Sequence, residues 1–194
     1  TSLPWIEKDS IKEDVAAAIA DFNTDGKTDI LLGSGGADFF GQTTPLLDGY
    51  YVQNDGLFES ETLPEYFENA SIIKPFDFDD DGDLDVFIGG RVIPGAYPMS
   101  PKSYLLRNDS KEGKAKFTDI TPKELSEIGM VTSALWTDYD NDDWQDLMLV
   151  GEFMSITFFK NNQGIIHHPS PITHSAGWWN SLSAGDFDKD GDID

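Results

Sequence analysis

Acidic residues recur at fixed spacing in four short stretches of this chain. In "DFDDDGDLD", residues 77–85, six aspartates fall within nine positions. "DFNTDGKTD" begins at Asp21, "DYDNDDWQD" at Asp138 and "DFDKDGDID" at Asp186, so the starts lie 56, 61 and 48 residues apart. The first position is Asp21, Asp77, Asp138 or Asp186, and the third is Asn23, Asp79, Asp140 or Asp188. The fifth is Asp25, Asp81, Asp142 or Asp190, and the ninth is Asp29, Asp85, Asp146 or Asp194. Glycine holds the sixth place as Gly26, Gly82 and Gly191, with Asp143 in the third copy. Alternate acids on a tight loop turn their carboxylates toward one centre. The seventh residue (Lys27, Asp83, Trp144 or Asp192) is placed to add its backbone carbonyl, which leaves its side chain free to vary. An all-oxygen set of this kind suits a hard cation, and its flexibility favours Ca²⁺ over the strict octahedron of Mg²⁺. No His or Cys lies in any loop, which argues against zinc. Up to four structural calcium sites follow, although the fourth loop reaches Asp194 without a second flanking strand.

An EF-hand begins in the same way but needs an acid at position twelve and helices on both sides. Position twelve here is Leu32, Ile88 or Leu149, so that reading is excluded.

The flanks of the loops name the elements that must position them. Small and apolar residues come before ("VAAAIA", "IIKPF", "TSALWT", "LSAG"), and short apolar runs ending in glycine come after ("ILLG", "VFIG", "LMLVG"). Such runs predict strands buried on both faces, with each loop as the turn of a hairpin. A second motif follows in "YYVQNDGLFES", "SYLLRNDSKEGKAKFTDI" and "ITFFKNNQGIIHH": an apolar strand, Asn-Asp or Asn-Asn, glycine, and another strand. Asn, Asp and Gly supply the positive φ of tight turns. Each unit is therefore four antiparallel strands. About fifty residues per four-stranded unit indicates a β-propeller blade. The expected architecture is an all-β, partial propeller in a single segment spanning 1–194. Its blades lie near 14–68, 69–124 and 129–175, with the first part of a fourth at 177–194. Propellers close with about four to eight blades. The chain is thus expected to be a piece of a longer propeller, or to be completed by another subunit.

The motif D-x-[DN]-x-D-G-x-x-D, set between a small-residue strand and an apolar strand ending in glycine, resembles the FG-GAP/VCBS repeat. That repeat is found in integrin α-subunit propellers and in exported bacterial proteins. "YLLRND…GKAKFTDIT" resembles the bacterial VCBS style of blade. The resemblance implies a calcium-binding propeller that is extracellular, on the cell surface or periplasmic, and serves adhesion or recognition of a protein or glycan. It also implies ligand binding on the face opposite the acidic hairpins. Two long connections, 34–49 and 91–102, are expected on that face, with Phe39, Phe40 and Tyr97 as candidate contacts. The alternative is part of a polysaccharide-acting or other extracellular enzyme, with its active site on the opposite face or in another domain.

Composition is in keeping with these readings. The 194 residues carry 36 acids against 13 basic residues, a formal charge of −23, which argues against nucleic acid and anionic membranes as partners. Nineteen of those acids lie in the four loops, so most of the excess is organised for one purpose. No apolar stretch is long enough for membrane insertion. There is no cysteine, and hence no disulfide framework. His167, His168 and His174 stand beside Pro169 and Pro171, which reads as an exposed loop, and Trp178 and Trp179 as packing between blades. Asn69 and Asn108 match the glycosylation sequon.

Overall fold

The computed structural model describes residues 9–36, 38–191 and 193. The strands form three antiparallel sheets, as in partial β-propeller blades. The first sheet contains β1 (Asp14–Ala20), β2 (Asp29–Ser34), β3 (Gly49–Asn54) and β4 (Leu57–Glu61), in that spatial order. The second contains β5 (Asn69–Phe76), β6 (Asp85–Val92), β7 (Tyr104–Asn108) and β8 (Phe117–Asp119). The third contains β9 (Met130–Thr137), β10 (Asp146–Met154), β11 (Thr157–Asn161) and β12 (Ile166–Pro171). A two-residue strand, β13 (Gly177–Trp178), extends it beside the end of β10. A single helical turn, α1 (Lys123–Ser126), joins the second sheet to the third.

Each acidic loop closes a hairpin between the first two strands of its sheet. Ala20 pairs with Asp29, Phe76 with Asp85 and Thr137 with Asp146, so the ninth loop residue is also the first residue of the second strand. That second strand is the most enclosed: Asp85 to Gly90 of β6 are all buried.

The core lies between the sheets. One cluster joins Ala18, Phe22 and Leu31 of the first unit to Ala70, Ile73, Val86 and Leu106 of the second. Another joins Phe78, Phe87 and Leu105 to Val131, Leu147 and Phe159 of the third. The first strands, β1, β5 and β9, pack on one another in sequence. Their small residues are needed there. A Cβ on Gly89 would lie 2.8 Å from side-chain atoms of both Ile72 and Val131, so glycine is needed in β6 where the side chains of β5 and β9 close in. Ser71 donates to Gly89 O at 3.0 Å and to Val131 O at 2.6 Å, fastening these inner strands across the gap.

Strand register corrects one alignment. Tyr51, Leu106 and Phe159 occupy equivalent places opposite Ile30, Val86 and Leu147. Gln53, rather than Asn54, therefore corresponds to Asn108 and Asn161. Asn54 ends β3 at a two-residue turn whose Asp55 and Gly56 have φ of 48° and 81°. The difference matters because Asn108 Nδ2 donates to Phe22 O of the preceding unit at 2.6 Å and to Leu84 O at 3.2 Å. Asn161 Nδ2 repeats this one unit later, with Phe78 O at 2.7 Å and Gln145 O at 3.2 Å. Asn69 and Asn108 are both buried, and Asn69 Nδ2 donates to Gly36 O at 2.7 Å, so neither sequon is presented for glycosylation in this fold.

Two other expectations change. His167 and His168 lie in β12, an exposed strand, and not in a loop; His174 follows it in a turn. Trp178 is 54% exposed and meets Phe153 at a ring-centroid distance of 4.9 Å, while Trp179 Nε1 donates to Ser175 O. Among the described residues of 182–191 there is no strand.

Asn161→Ala leaves the carbonyls of Phe78, in the preceding unit, and of Gln145, in its own, without their donor. It is expected to lower unfolding stability by about 1–3 kcal/mol in urea titrations. Asn54→Ala, at the turn, is expected to change it by less than about 0.5 kcal/mol.

Candidate functional site

The four loops share one backbone shape. Position four has positive φ in every copy: Thr24 at 59°, Asp80 at 58°, Asn141 at 57° and Lys189 at 65°. Position six does too, with Gly26 at 83°, Gly82 at 95°, Gly191 at 102° and Asp143 at 70°. Asp143 thus keeps the glycine conformation, which Asp tolerates better than most residues.

Hydrogen bonds assign a task to each acid. The first folds the turn: Asp77 Oδ1 accepts from Asp81 N at 3.1 Å and Oδ2 from Gly82 N at 2.9 Å. Asp21 and Asp138 do the same in their loops. The fifth accepts from the seventh residue's N–H, as Asp81 does from Asp83 at 3.0 Å, Asp25 from Lys27 at 2.9 Å and Asp142 from Trp144 at 3.0 Å.

The ninth is fully buried as Asp29, Asp85 and Asp146, and it ties three segments together. Asp85 Oδ2 accepts from Phe78 N at 3.1 Å, and its Oδ1 accepts from Asn108 N on β7 at 2.8 Å. Asp146 takes Tyr139 N at 3.3 Å and Asn161 N at 2.7 Å; Asp29 takes Phe22 N at 3.2 Å, Gln53 N at 3.1 Å and the Tyr50 hydroxyl at 3.0 Å.

Oxygens of Asp77, Asp79 and Asp85 lie within 4.8 Å of one another, as do those of Asp138, Asp140 and Asp146, and of Asp186, Asp188 and Asp190. Asp79 Oδ1 is buried and has no hydrogen-bond partner. In the first loop Asn23 takes the third place; it is buried and its Oδ1 accepts from Asp25 N at 3.1 Å. The side chains at position five, Asp25, Asp81 and Asp142, are not in these close groups; their oxygens serve the turn instead. The fourth loop is exposed throughout its described residues, and its Asp192 and Asp194 lie outside them.

The seventh residue departs from expectation in the second loop. The Asp83 side chain is engaged, with Oδ2 accepting from Ser110 N at 2.6 Å. Lys27 Nζ stays 3.8 Å from Asp25 Oδ2. Trp144 borders a groove with Phe76, Asp77 and Phe78, so the second and third loops meet there.

Burial without a countercharge shows in the acidities. Burial pushes the Asp85 carboxyl up to about 7, the N–H donors of Asn108 and Phe78 opposing it and Asp79 and Asp81 adding to it. Burial, then Asp81 and Asp77, raise Asp79 against the pull of Arg107. Asp146 is raised by burial as well. The donor chemistry, the convergence and the orphaned Asp79 oxygen all fit a hard divalent cation.

One structural residue was overlooked in the sequence. Position two is aromatic in all four loops, and Phe22 and Phe78 are buried in the clusters shared with the next unit. Phe22 meets Tyr50 and Phe117 edge-on at 6.0 and 6.2 Å. The signal was an aromatic beside each leading aspartate.

The recognition candidates lie at the other end of the sheets, beyond Ser34 and Val92. Phe40 is 61% exposed and packs against Gly95, so the two long connections touch; Phe39 is half-buried. Tyr97 donates to Glu152 Oε2 at 3.2 Å, and the buried Glu152 takes Arg91 Nη2 at 2.7 Å. Tyr97, Phe153 and Trp178 form an aromatic row around this pair, with centroids 6.3 and 4.9 Å apart.

The profile of a family described as FG-GAP-like repeat matches residues 77–149 and again 138–194. The chain is 30% identical over 158 residues to cartilage acidic protein 1 of Mus musculus, and 30% identical over 154 residues to cartilage acidic protein 1 of Homo sapiens. Each alignment covers 76% of this chain and 22% of the relative, so the chain spans about a fifth of the length of these proteins.

The metal-free protein is expected to gain thermal stability as pH falls. A carboxyl whose folded pKa is about 7, against an ordinary 3.8, favours the fold below the lower value and loses that contribution as pH rises through 7. Asp48, also pushed up to about 7 by burial, adds to the same slope. Calorimetry between pH 5 and 8 is expected to show the rise on acidification, and Asp85→Asn to flatten it in part.

Proposed function

The chain belongs to the FG-GAP-like repeat family, and on that premise we propose that it is a calcium-stabilised β-propeller segment of an exported protein, serving adhesion or recognition. The orphaned, buried Asp79 oxygen beside Asp77 and Asp85 carries the calcium reading. Asp77, Asp79, Asp81 and Asp85 would hold the ion, with the carbonyl of Asp83. Asp21, Asn23, Asp25 and Asp29, and Asp138, Asp140, Asp142 and Asp146, would do so in their loops, with the carbonyls of Lys27 and Trp144. Asp186, Asp188, Asp190 and Asp194, with the carbonyl of Asp192, complete the proposed set. The ion would supply the countercharge that these clustered carboxylates need. The remaining work belongs to the chain: the first acid shapes the turn, and the ninth fastens it to the third strand.

An extracellular setting would suit such sites, because modules there bind Ca²⁺ with dissociation constants of about 10⁻⁴–10⁻³ M. The matched relatives are named cartilage acidic protein 1. Among the described residues no helix is long and apolar enough to cross a membrane.

Recognition would use the end opposite the loops. A cavity of about 410 Å³ there is lined by Arg91, Tyr97, Glu152 and Trp178, a size that admits a small group such as a sugar ring or a side chain. Phe40 and the aromatic row supply flat apolar surface beside it.

Chelation with EDTA is expected to lower the unfolding midpoint by several degrees, and added Ca²⁺ to restore it. An unchanged midpoint together with no bound metal by elemental analysis would sink the calcium reading. For recognition, binding to glycan and matrix-protein arrays is expected to weaken at least about tenfold in Tyr97→Ala and Phe40→Ala variants that keep their calcium-dependent stability.

A further inference from the structure

The third loop differs from its sisters in that a cation from a neighbouring strand bridges two of its carboxylates. Lys160, on β11, reaches back over the hairpin, and its ammonium contacts Asp140 and, at 2.7 Å, Asp142 Oδ2. These are the third and fifth positions of the loop, the places a bound ion would draw on. By strand register Lys160 corresponds to Val52 in the first unit and Arg107 in the second. Val52 carries no charge. Arg107 Nη2 turns instead to Asp109 at 3.2 Å, in the turn after β7, and Asp79 Oδ1 stays without a partner.

Only in the third unit, among the described residues, does a basic side chain of the third strand bond two loop carboxylates. We infer that Lys160 is an internal competitor for calcium: it holds the third loop together without metal and makes that site the weaker one. The inference rests on the calcium reading above. An ion entering this loop must displace the ammonium from Asp140 and Asp142, losing two charge-assisted contacts that the second loop never had to give up. The consequence is a graded response. The second loop demands calcium to relieve its carboxylates, whereas the third is already compensated and fills only at higher concentration.

The third loop also carries its own reporter. Trp144 is the one tryptophan within the four loops, at position seven, where its indole can sensitise a bound lanthanide. Terbium luminescence excited through tryptophan is titrated on the whole chain: Trp144→Phe, which keeps the backbone carbonyl, assigns the signal to this indole, and Asp85→Asn removes the share that comes from the second loop beside it. Lys160→Met is expected to tighten terbium binding at the third loop by at least about tenfold, since contacts between charged groups of this kind carry that much free energy. In the metal-free protein the same variant is expected to lower the unfolding midpoint, and saturating Ca²⁺ to abolish that difference.

An unchanged terbium affinity and an unchanged metal-free midpoint in Lys160→Met would overturn the role of Lys160. The calcium reading would survive that result if Asp85→Asn still removed one equivalent of Ca²⁺ in calorimetric titration. If wild-type protein bound neither Ca²⁺ nor terbium, both would fall together.

Discussion

The buried ninth aspartate of the first three loops is the constraint on which the rest of the structure depends. Asp29, Asp85 and Asp146 are fully enclosed, yet each is an ionisable group placed at the start of an apolar strand. Such a placement is costly unless the carboxylate is fully bonded. The fold meets that demand with N–H donors from position two of the loop and from the third strand. The arrangement fixes the length of the loop, the register of the hairpin and the approach of the third strand together. It also sets the acidic residues before it at a common centre.

Position two then joins the units. Its N–H is spent on the ninth aspartate, and the rings of Phe22 and Phe78 enter the core beside the next sheet. Its carbonyl accepts from Asn108 or Asn161 of that next sheet. One residue thus contributes to the turn, the core and the contact between units. The acidic loop is therefore part of the packing, and whatever neutralises its carboxylates acts on the stability of two sheets.

Much of this was legible in the sequence because it repeats. The loops, the flanking strands and the four-stranded units all follow from spacing and from the alternation of small, acidic and apolar residues. The offset from Asn54 to Gln53 is hidden in the sequence because the first unit has a shorter turn, and only hydrogen-bond register reveals it. The engagement of the Asp83 side chain is not visible in the sequence because its partner, Ser110, lies 27 residues away in a turn of irregular length. Lys160 could not be connected with Asp140 from spacing alone, since the contact depends on which way a side chain leaves β11. The aromatic row at the far end was half visible. Tyr97 could be singled out, but Phe153 and Trp178 join it through the pairing of β13 with β10.

The asparagine bridges give the array a polarity. Asn108 and Asn161 each reach backward, closing on the peptide of the loop before their own. A sheet is therefore not the smallest piece that can be exchanged intact. The portable module starts at the first aspartate of one loop and ends past the asparagine of the following sheet, and the matched family segments likewise start at Asp77 and Asp138. Recombination or design that splices at sheet boundaries would sever every bridge it crosses. Splices placed just ahead of the acidic loops would sever them too, because the asparagine that closes on each loop lies beyond the next loop; an intact bridge needs a piece that spans both.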